Sequence, residues 1–363
     1  MRHILTVLIL VSLMLVGCTP DENLAQTPRP ATSTPLPVTA TNTSTPTLPP
    51  TQVPTSTSIP ILFEEINFIF QGEDPGIPIV TNNPSPEINN RFINPGSVFF
   101  HEGQFHMFFN SFSTWPDVIK VGYMTSDDGY HWQMVQDAPV FTTDQITFGD
   151  GKADVSTVLV MDDGTWVMYF HTIDGGEIGR AAAASPLGPW SVDSDPMLTP
   201  SPEGVWDSHK LGWPSVVRDG NGLRMYYGAQ TATGFAIGLA TSTDGINWTR
   251  HGDPVLEAGE AWETQNVDRP RVVKSPDGWV MIYQGGSFVE RRGLAISEDG
   301  IRWQKYPSNP ILTSDVFPIR RAKTWDTSLV YHDGIYYYIM ELGTTPVNET
   351  HLYLTTYQGA LHR

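Results

Sequence analysis

Five stretches of the chain alternate apolar and polar residues with period two and break in the middle at a glycine-containing turn. They read SVFFHEGQFHMFF, TVLVMDDGTWVMYF, SVVRDGNGLRMYY, RVVKSPDGWVMIY and SLVYHDGIYYYIM. Alternation around Glu-Gly, Asp-Gly or Asn-Gly is a strong short-range signal for a β-hairpin, so five hairpins are predicted. Four of them are followed by a third β-rich segment, such as KVGYMTS or AIGLATS, then a turn ending in tryptophan, then a short fourth segment: APVF, DPMLT, DPVLE or NPILT.

The turns repeat as SDDGYHW, SPLGPW, STDGINW and SEDGIRW. Their tryptophans, Trp132, Trp190, Trp248 and Trp303, stand 58, 58 and 55 residues apart. A fixed period of this size marks copies of one supersecondary unit. Four strands per unit, with Gly and Trp in fixed places, describe the blades of a β-propeller. The chain is therefore expected to be all-β, a five-bladed propeller with four-stranded blades. The tryptophans are expected to pack between blades.

The fifth unit stops at HLYLTTYQGALHR, without the Trp turn or a fourth segment, whereas a fourth-segment look-alike, IPIV, precedes the first unit. The spacing to the next first strand agrees: Pro254 to Pro270 is 16 residues, Pro310 to Asp326 is 16 and Pro78 to Pro95 is 17. The N-terminal strand should complete the last blade and leave no long free edge. The segment Ile61 to Phe70 is a second candidate for the outer edge.

Residues 1–17 combine a charged start with an apolar run from Ile4 to Val16, short for a membrane span. They end in Leu15-Val16-Gly17-Cys18, which resembles a bacterial lipobox. Cys18 is the only cysteine, so no disulfide can form within the chain, and lipidation of Cys18 is the expected modification. Residues 19–60 hold 12 Thr, 10 Pro and 4 Ser, a composition that cannot bury enough apolar surface to order itself. The expected organisation is a signal peptide (1–17), a disordered tether (18–60) and the propeller (61–363), lipid-anchored in a bacterial cell envelope and facing outside the cytoplasm. The formal charge of −18 argues against a nucleic-acid partner or an anionic membrane surface, so membrane contact is expected through the anchor alone. A monomer acting on a carbohydrate is expected.

In a propeller the first strand of each blade lines the axis, so residues far apart in sequence converge there. The five first strands begin INPGS, ADVST, GWPSV, VDRPR and WDTSL. These place Asn94, Asp154, Trp213, Asp268, Arg269 and Asp326 around one opening. A carboxylate at a strand entry commonly only bonds backbone, but three about one axis would raise one another's pKa and suit general acid and base work. A second internal echo, VWDSHKLGWP and AWETQNVDRP, aligns Trp206 with Trp262 and Asp207 with Glu263. Those loops, with His209, are expected on the rim, where aromatic faces and acids together hold sugar rings. Packing of these tryptophans between blades is the competing reading. His171 and His209 are metal-ligand candidates, but no spacing is diagnostic. Neither a metal nor a cofactor is expected.

From the hairpins, the three S-x-D-G-x-x-W turns and ASPLGPW, the chain resembles the five-bladed propeller glycosidases of families 43 and 32 and their relatives in families 117 and 130, over roughly residues 77–360. The resemblance implies an axial site with three acids. The acid of the family's Asp-Pro is matched by Asn94-Pro95 and a second Asp by Trp213-Pro214, while its Glu-Gly-Pro, whose Glu is the general acid, is matched by Asp268-Arg269-Pro270. The resemblance thus implies a glycoside hydrolase-like enzyme with a rebuilt site, Asp268 as acid and Asp154 or Asp326 as base. A non-catalytic glycan-binding or scaffold propeller is the alternative, with Arg269, Arg271 and Lys152 neutralising the acids. A phosphorylase using Arg269, Arg271, His209 and Lys210 ranks below both, because phosphate-consuming chemistry suits the cell exterior poorly.

Overall fold

A computed structural model describes residues 61–71, 74–286, 291–343 and 348–362. The expected signal peptide, Cys18 and the tether lie outside the described residues. Among the described residues no helix is long and apolar enough to cross a membrane.

The five alternating stretches form five antiparallel hairpins, each the inner half of a blade. Blade I contains Phe92–His101, Gln104–Phe112, Lys120–Ser126 and Gln133–Met134, with Phe141–Thr142 also paired to the third strand. Blade II contains Ala153–Val160, Trp166–Thr172, Ile178–Ala183 and Ser191–Val192. Blade III contains Leu211–Asp219, Gly222–Gln230, Phe235–Ser242 and Thr249–Arg250. Blade IV contains Val267–Ser275, Gly278–Gly285, Arg292–Ser297 and Gln304–Lys305. Blade V contains Thr327–His332, Ile335–Gly343 and Thr350–Gln358, and the N-terminal Ile69–Phe70 supplies its outer strand.

The closure differs from the expectation in one detail. The outer edge of each blade is written in two pieces. The two-residue strand directly after the Trp turn is the paired fourth strand, and the DPML, DPVL and NPIL segments touch the sheet only at single bridges, Ile178 to Leu198, Ile237 to Leu256 and Arg292 to Leu312. Proline has no N–H for a ladder, so these segments cannot extend their pairing. In blade V the same two pieces come from the N-terminus: Ile69–Phe70 pairs with Thr356 and Thr355, and Val80 of IPIV bridges Leu352.

Three of the four Trp turns are fixed by their own acid, and in the fourth the Ser185 hydroxyl donates to the Gly188 carbonyl. Oδ1 of Asp128, Asp244 and Asp299 accepts the two backbone N–H groups that follow the glycine, and Gly129, Gly245 and Gly300 take φ of 78°, 73° and 71°. That conformation is cheap only for glycine. The turns dock on the preceding blade as expected: Trp190 packs edge-on to Phe108 at 5.9 Å, Trp248 to Tyr169 at 5.8 Å and Trp303 to Tyr226 at 5.6 Å. The hydroxyls of Tyr169 and Tyr226 donate to the carbonyls of Gly245 and Gly300. Apolar clusters fill the spaces between blades.

Around the axis, the blades are joined by a ring of hydrogen bonds. A backbone N–H on one first strand donates to a hydroxyl on its neighbour: Val158 to Ser97 (2.7 Å), Val216 to Thr157 (3.2 Å), Val272 to Ser215 (3.0 Å) and Val98 to Ser328 (2.9 Å). At the seam between blades IV and V, Arg271 replaces the hydroxyl and its Nε donates to the Thr327 carbonyl. Below this ring a channel of about 510 Å³ runs on between the outer halves of the first strands, past Phe99, Val160, Val217, Val273 and Tyr331.

Removing one hydroxyl leaves a buried N–H without a partner, at a cost of about 1–3 kcal/mol. Ser328→Ala should lower stability by that amount in urea or thermal unfolding while preserving the β-sheet circular dichroism spectrum. A change below about 0.3 kcal/mol would show that the ring does not hold the seam.

Candidate active site

The first strands of blades I, III and IV are interrupted at their axial ends by bulges, between Asn94 and Ser97, Gly212 and Ser215, and Asp268 and Arg271. Bulges re-aim side chains, and here they do so through backbone strain. Trp213 and Arg269, at equivalent places and each before a proline, have φ of 52° and 47°. Non-glycine residues in this region cost on the order of 1–3 kcal/mol. The strain brings the two side chains together, with the Arg269 guanidinium 4.1 Å from the centre of a Trp213 ring.

Each first-strand start is paired across its hairpin to one residue of the second strand. The pairs are Asn94 with Asn110, Asp154 with His171, Gly212 with Gly228 and Asp268 with Gln284. In blade V the pair is Asp326 with Glu341: the Glu341 N–H donates to the Asp326 carbonyl at 3.1 Å, and the Asp326 N–H donates to Glu341 Oε2 at 3.3 Å. The glycines of blade III leave room for Trp213 and His171. A Cβ on Gly228 would stand 3.0 Å from the indole, and one on Gly212 would stand 3.2 Å from His171.

A cavity of about 300 Å³ opens at this end of the axis, lined by Asn94, Arg269, Asp326 and Glu341 and walled by Phe92, Phe112, Trp115, Trp213 and Trp325. It matches the low end of small-molecule sites, about 300–1,000 Å³. Behind the lining, Asn94 donates to Asp154 Oδ1 at 3.3 Å, and Asn94 Oδ1 accepts from Asn110 at 2.7 Å. Arg269 Nη1 lies 3.3 Å from both Asp268 Oδ2 and Gln284 Oε1, and its Nε is 3.8 Å from Asp326 Oδ1. Arg271 Nη2 reaches Asp326 Oδ1 at 3.5 Å.

The carboxyls diverge in protonation. Burial first, then the Asp326 charge, pushes Asp154 well above the usual carboxylate range. Burial also works to raise Asp326, but Arg269, the hydrogen bond from Asp154 and Arg271 outweigh it and hold Asp326 below its ordinary value. The two therefore share one proton, carried by Asp154 and donated to the Asp326 carboxylate. Burial and then the nearby Asp326 charge push Glu341 up to about 8. Burial raises Asp268, opposed by Arg269 and Arg292. Burial lowers His171 to about 4, which keeps it neutral. One wall of the cavity thus presents an ionised carboxylate, Asp326, beside a carboxylic acid, Glu341.

The three expected acids, Asp154, Asp268 and Asp326, with Asn94, Trp213 and Arg269, are brought together. Only Asn94, Trp213, Arg269 and Asp326 line the cavity itself; Asp154 stands behind Asn94, and Asp268 is held against Arg269. The rim expectation for Trp206, Asp207 and Glu263 is corrected. Asp207 is buried and accepts from Tyr227 at 3.1 Å with Arg250 at 3.3 Å. Glu263 repeats this with Tyr283 at 2.7 Å and Lys305 at 2.6 Å. Trp206 stacks on Tyr227 and Trp262 packs against Tyr283. The internal echo is a packing motif of acid, tyrosine and base, repeated in blades III and IV, because a buried acid needs polar partners to offset its lost hydration. His209 is exposed beside Ser208 and does not line the cavity. Lys152 pairs with Asp174 at 3.6 Å, leaving Arg269 and Arg271 to face the axial acids. Among the described residues no group of His, Cys, Asp and Glu is arranged to hold a metal ion.

Glu341 lies on a second strand, outside the first-strand starts that the repeat aligns. Its signal is the cross-strand position, 15 to 17 residues further on, which holds Asn110, His171, Gly228, Gln284 and Glu341.

Comparison with known proteins supports the same fold. The profile of glycoside hydrolase family 130, described as beta-1,4-mannooligosaccharide phosphorylase, matches residues 202–357. The chain resembles the propeller glycosidases of families 130 and 43. A beta-1,2-mannobiose phosphorylase of Thermoanaerobacter sp. (strain X514) is 28% identical over 108 residues, 26% of this chain and 36% of that protein. An uncharacterized protein of Mycobacterium tuberculosis (strain ATCC 25618 / H37Rv) is 26% identical over 137 residues, 36% of this chain and 44% of that one. The matched stretches thus span well under half of these relatives. Among solved structures, a protein reported with family 130 glycoside hydrolases that target beta-1,2 mannosidic linkages in Candida mannan superposes with a TM-score of 0.57 at 16% identity, covering 83% of this chain and 96% of that one. A thermostable family-43 glycoside hydrolase gives 0.56 at 17% identity, covering 77% and 92%. A glycosyl hydrolase from Bacteroides ovatus gives 0.58 at 16%, covering 82% and 94%.

The raised Glu341 value has a defined consequence for stability. Below its ordinary value of 4.5 the group is protonated in both the folded and the unfolded chain and costs nothing. The penalty grows as pH climbs past 4.5 and is complete above about 8. Glu341→Gln, close in shape and uncharged, should therefore melt increasingly above the parent between pH 4.5 and 8 and match it at lower pH. A difference independent of pH would contradict the buried neutral acid.

Proposed function

We propose that the protein is a carbohydrate-active enzyme that hydrolyses a β-mannosidic bond in an extracellular oligo- or polysaccharide. The observation that carries this reading is the pair of carboxyl groups in opposite protonation states on one wall of an aromatic-lined cavity. Groups whose environments push their pKa values apart are suited to acid and base roles. The mannoside specificity rests on the family 130 profile and the mannobiose phosphorylase relative. The export signal and tether read in residues 1–60 support a lipid-anchored place in the cell envelope.

In this reading Glu341 donates its proton to the glycosidic oxygen as the bond from that oxygen to the anomeric carbon breaks. Asp326 accepts a proton from the attacking water, whose oxygen forms the new bond to that carbon. Arg269, Asp154 and Arg271 keep Asp326 ionised while it waits, and Asp154 and Arg271, which do not line the cavity, are positioning residues. Asp268 fixes Arg269 over Trp213. Compared with the sequence-based assignment, the acid moves from Asp268 to Glu341, because Glu341 lines the cavity and Asp268 does not.

Phosphorolysis is the second reading, favoured by Arg269 and Arg271 beside a site in which burial raises three of the four carboxyls. A neutral acid contributes no repulsion, so an anion is tolerated there better than the net charge of −18 implies.

Incubation with β-1,2- and β-1,4-linked mannobiose, with and without inorganic phosphate, tests both. Free mannose without phosphate supports hydrolysis, and mannose 1-phosphate formed only with phosphate supports phosphorolysis. Asp326→Asn and Glu341→Gln should each lower kcat about 10²–10⁴-fold under hydrolysis. Full activity in both variants would remove these two residues from the mechanism, and binding without cleavage would identify a glycan-binding propeller.

A further inference from the structure

Blade I contributes to the cavity wall the loop between Gln104–Phe112 and Lys120–Ser126, which carries Trp115. Trp115 lines the cavity yet is 51% exposed, and Val118 in the same loop is 42% exposed. A large aromatic left half in water beside a polar pocket belongs to the informative kind of exposed surface. Trp115 is not part of any buried cluster between blades.

The indole is nevertheless held in place. It rests on Phe112 with ring centres 5.3 Å apart and planes at 57°. Phe112 stacks on Phe92 at 5.4 Å and 29°, and the Arg91 guanidinium sits 5.0 Å from the Phe92 ring centre. The loop backbone is tied by Ser113, whose hydroxyl donates to Asn90 at 2.8 Å. Asp117 accepts from the Thr114 hydroxyl at 3.2 Å and from the Val118 N–H at 2.8 Å. The ridge from Trp115 through Phe112 to Phe92 is therefore a backed aromatic platform that leads outward from the cavity.

Polarity is graded along the same line. The acids Asp326 and Glu341 and the donors Asn94 and Arg269 share the cavity with this ridge, whose outer member is aromatic and half-exposed. A sugar ring has hydroxyls around its edge and C–H bonds on its faces, so a flat aromatic surface receives it by its face. We infer that Trp115 is a further sugar-binding position, which carries a ring beyond the two joined by the bond that Asp326 and Glu341 cleave, so that the substrate is an oligosaccharide chain leaving the site over blade I. This rests on the glycoside-cleaving function proposed above, and its test is built so that the two can fail separately.

The test is a ladder of β-linked mannobiose, mannotriose and mannopentaose on the full chain. In the parent, kcat/KM should rise about three- to tenfold from the shortest to the longest substrate, the range expected of one aromatic stack. Trp115→Ala should cancel that rise, mainly through KM, and Trp115→Phe should restore most of it. A parent that gains nothing with length, or a Trp115→Ala ladder as steep as the parent's, would overturn the inference. If the parent cleaves none of the three, the proposed function fails, and the platform is read by calorimetric titration with mannopentaose. Binding weakened about tenfold in Trp115→Ala would then support it, while unchanged binding, or no binding by the parent, would overturn it.

Discussion

The structure depends on the ring of hydrogen bonds that ties each first strand to the next around the axis. Four seams use one device, a serine or threonine hydroxyl receiving a backbone N–H from the neighbouring blade. The fifth uses Arg271, and that exception is where structure passes into chemistry. Its Nε closes the ring at Thr327, and its Nη2 reaches Asp326. A residue that completes the propeller therefore also keeps a carboxylate ionised at the mouth of the axis. Because the ring fixes where all five first strands begin, it fixes which residues meet there.

What meets there is costly to assemble. Asp154, Asp268, Asp326 and Glu341 are all buried, and so are Arg271 and Arg292. Burying charges without partners is unfavourable, so the cluster resolves into a neutral acid donating to an ionised one, an arginine pressed on an indole, and a glutamic acid left protonated. Strain adds to the cost at Trp213 and Arg269. An arrangement that works against stability in several ways at one cavity is expected of a functional site rather than of a fold element.

Much of the fold was legible in the chain because it rests on local rules. Period-two alternation, turn glycines and the acid of three Trp turns act within a few residues and recur, so the blades and the closure by the N-terminus could be read directly. The position of Asn94, Asp154, Trp213, Asp268 and Asp326 around one axis followed from the same repeat. What could not be read was which side chains face the cavity. Asp207 and Glu263 look like rim acids in sequence, yet tyrosine and basic partners 20 to 43 residues away draw them into the blades. Glu341 sits in the strand IYYYIMELG, where an acid among apolar neighbours reveals nothing until the hairpin register pairs it with Asp326. Trp115 lies in an irregular loop that no periodicity describes. Local patterns specify backbone, whereas protonation and exposure depend on contacts between blades.

The protonation of Glu341, a neutral acid beside an ionised Asp326, can be measured without any substrate. Infrared or carbon NMR titration of the full chain, with Glu341→Gln as the difference reference, would follow the Glu341 carboxyl directly. A protonated carboxyl signal should persist through neutral pH and disappear near pH 8. A Glu341 signal already ionised by pH 5 would contradict it.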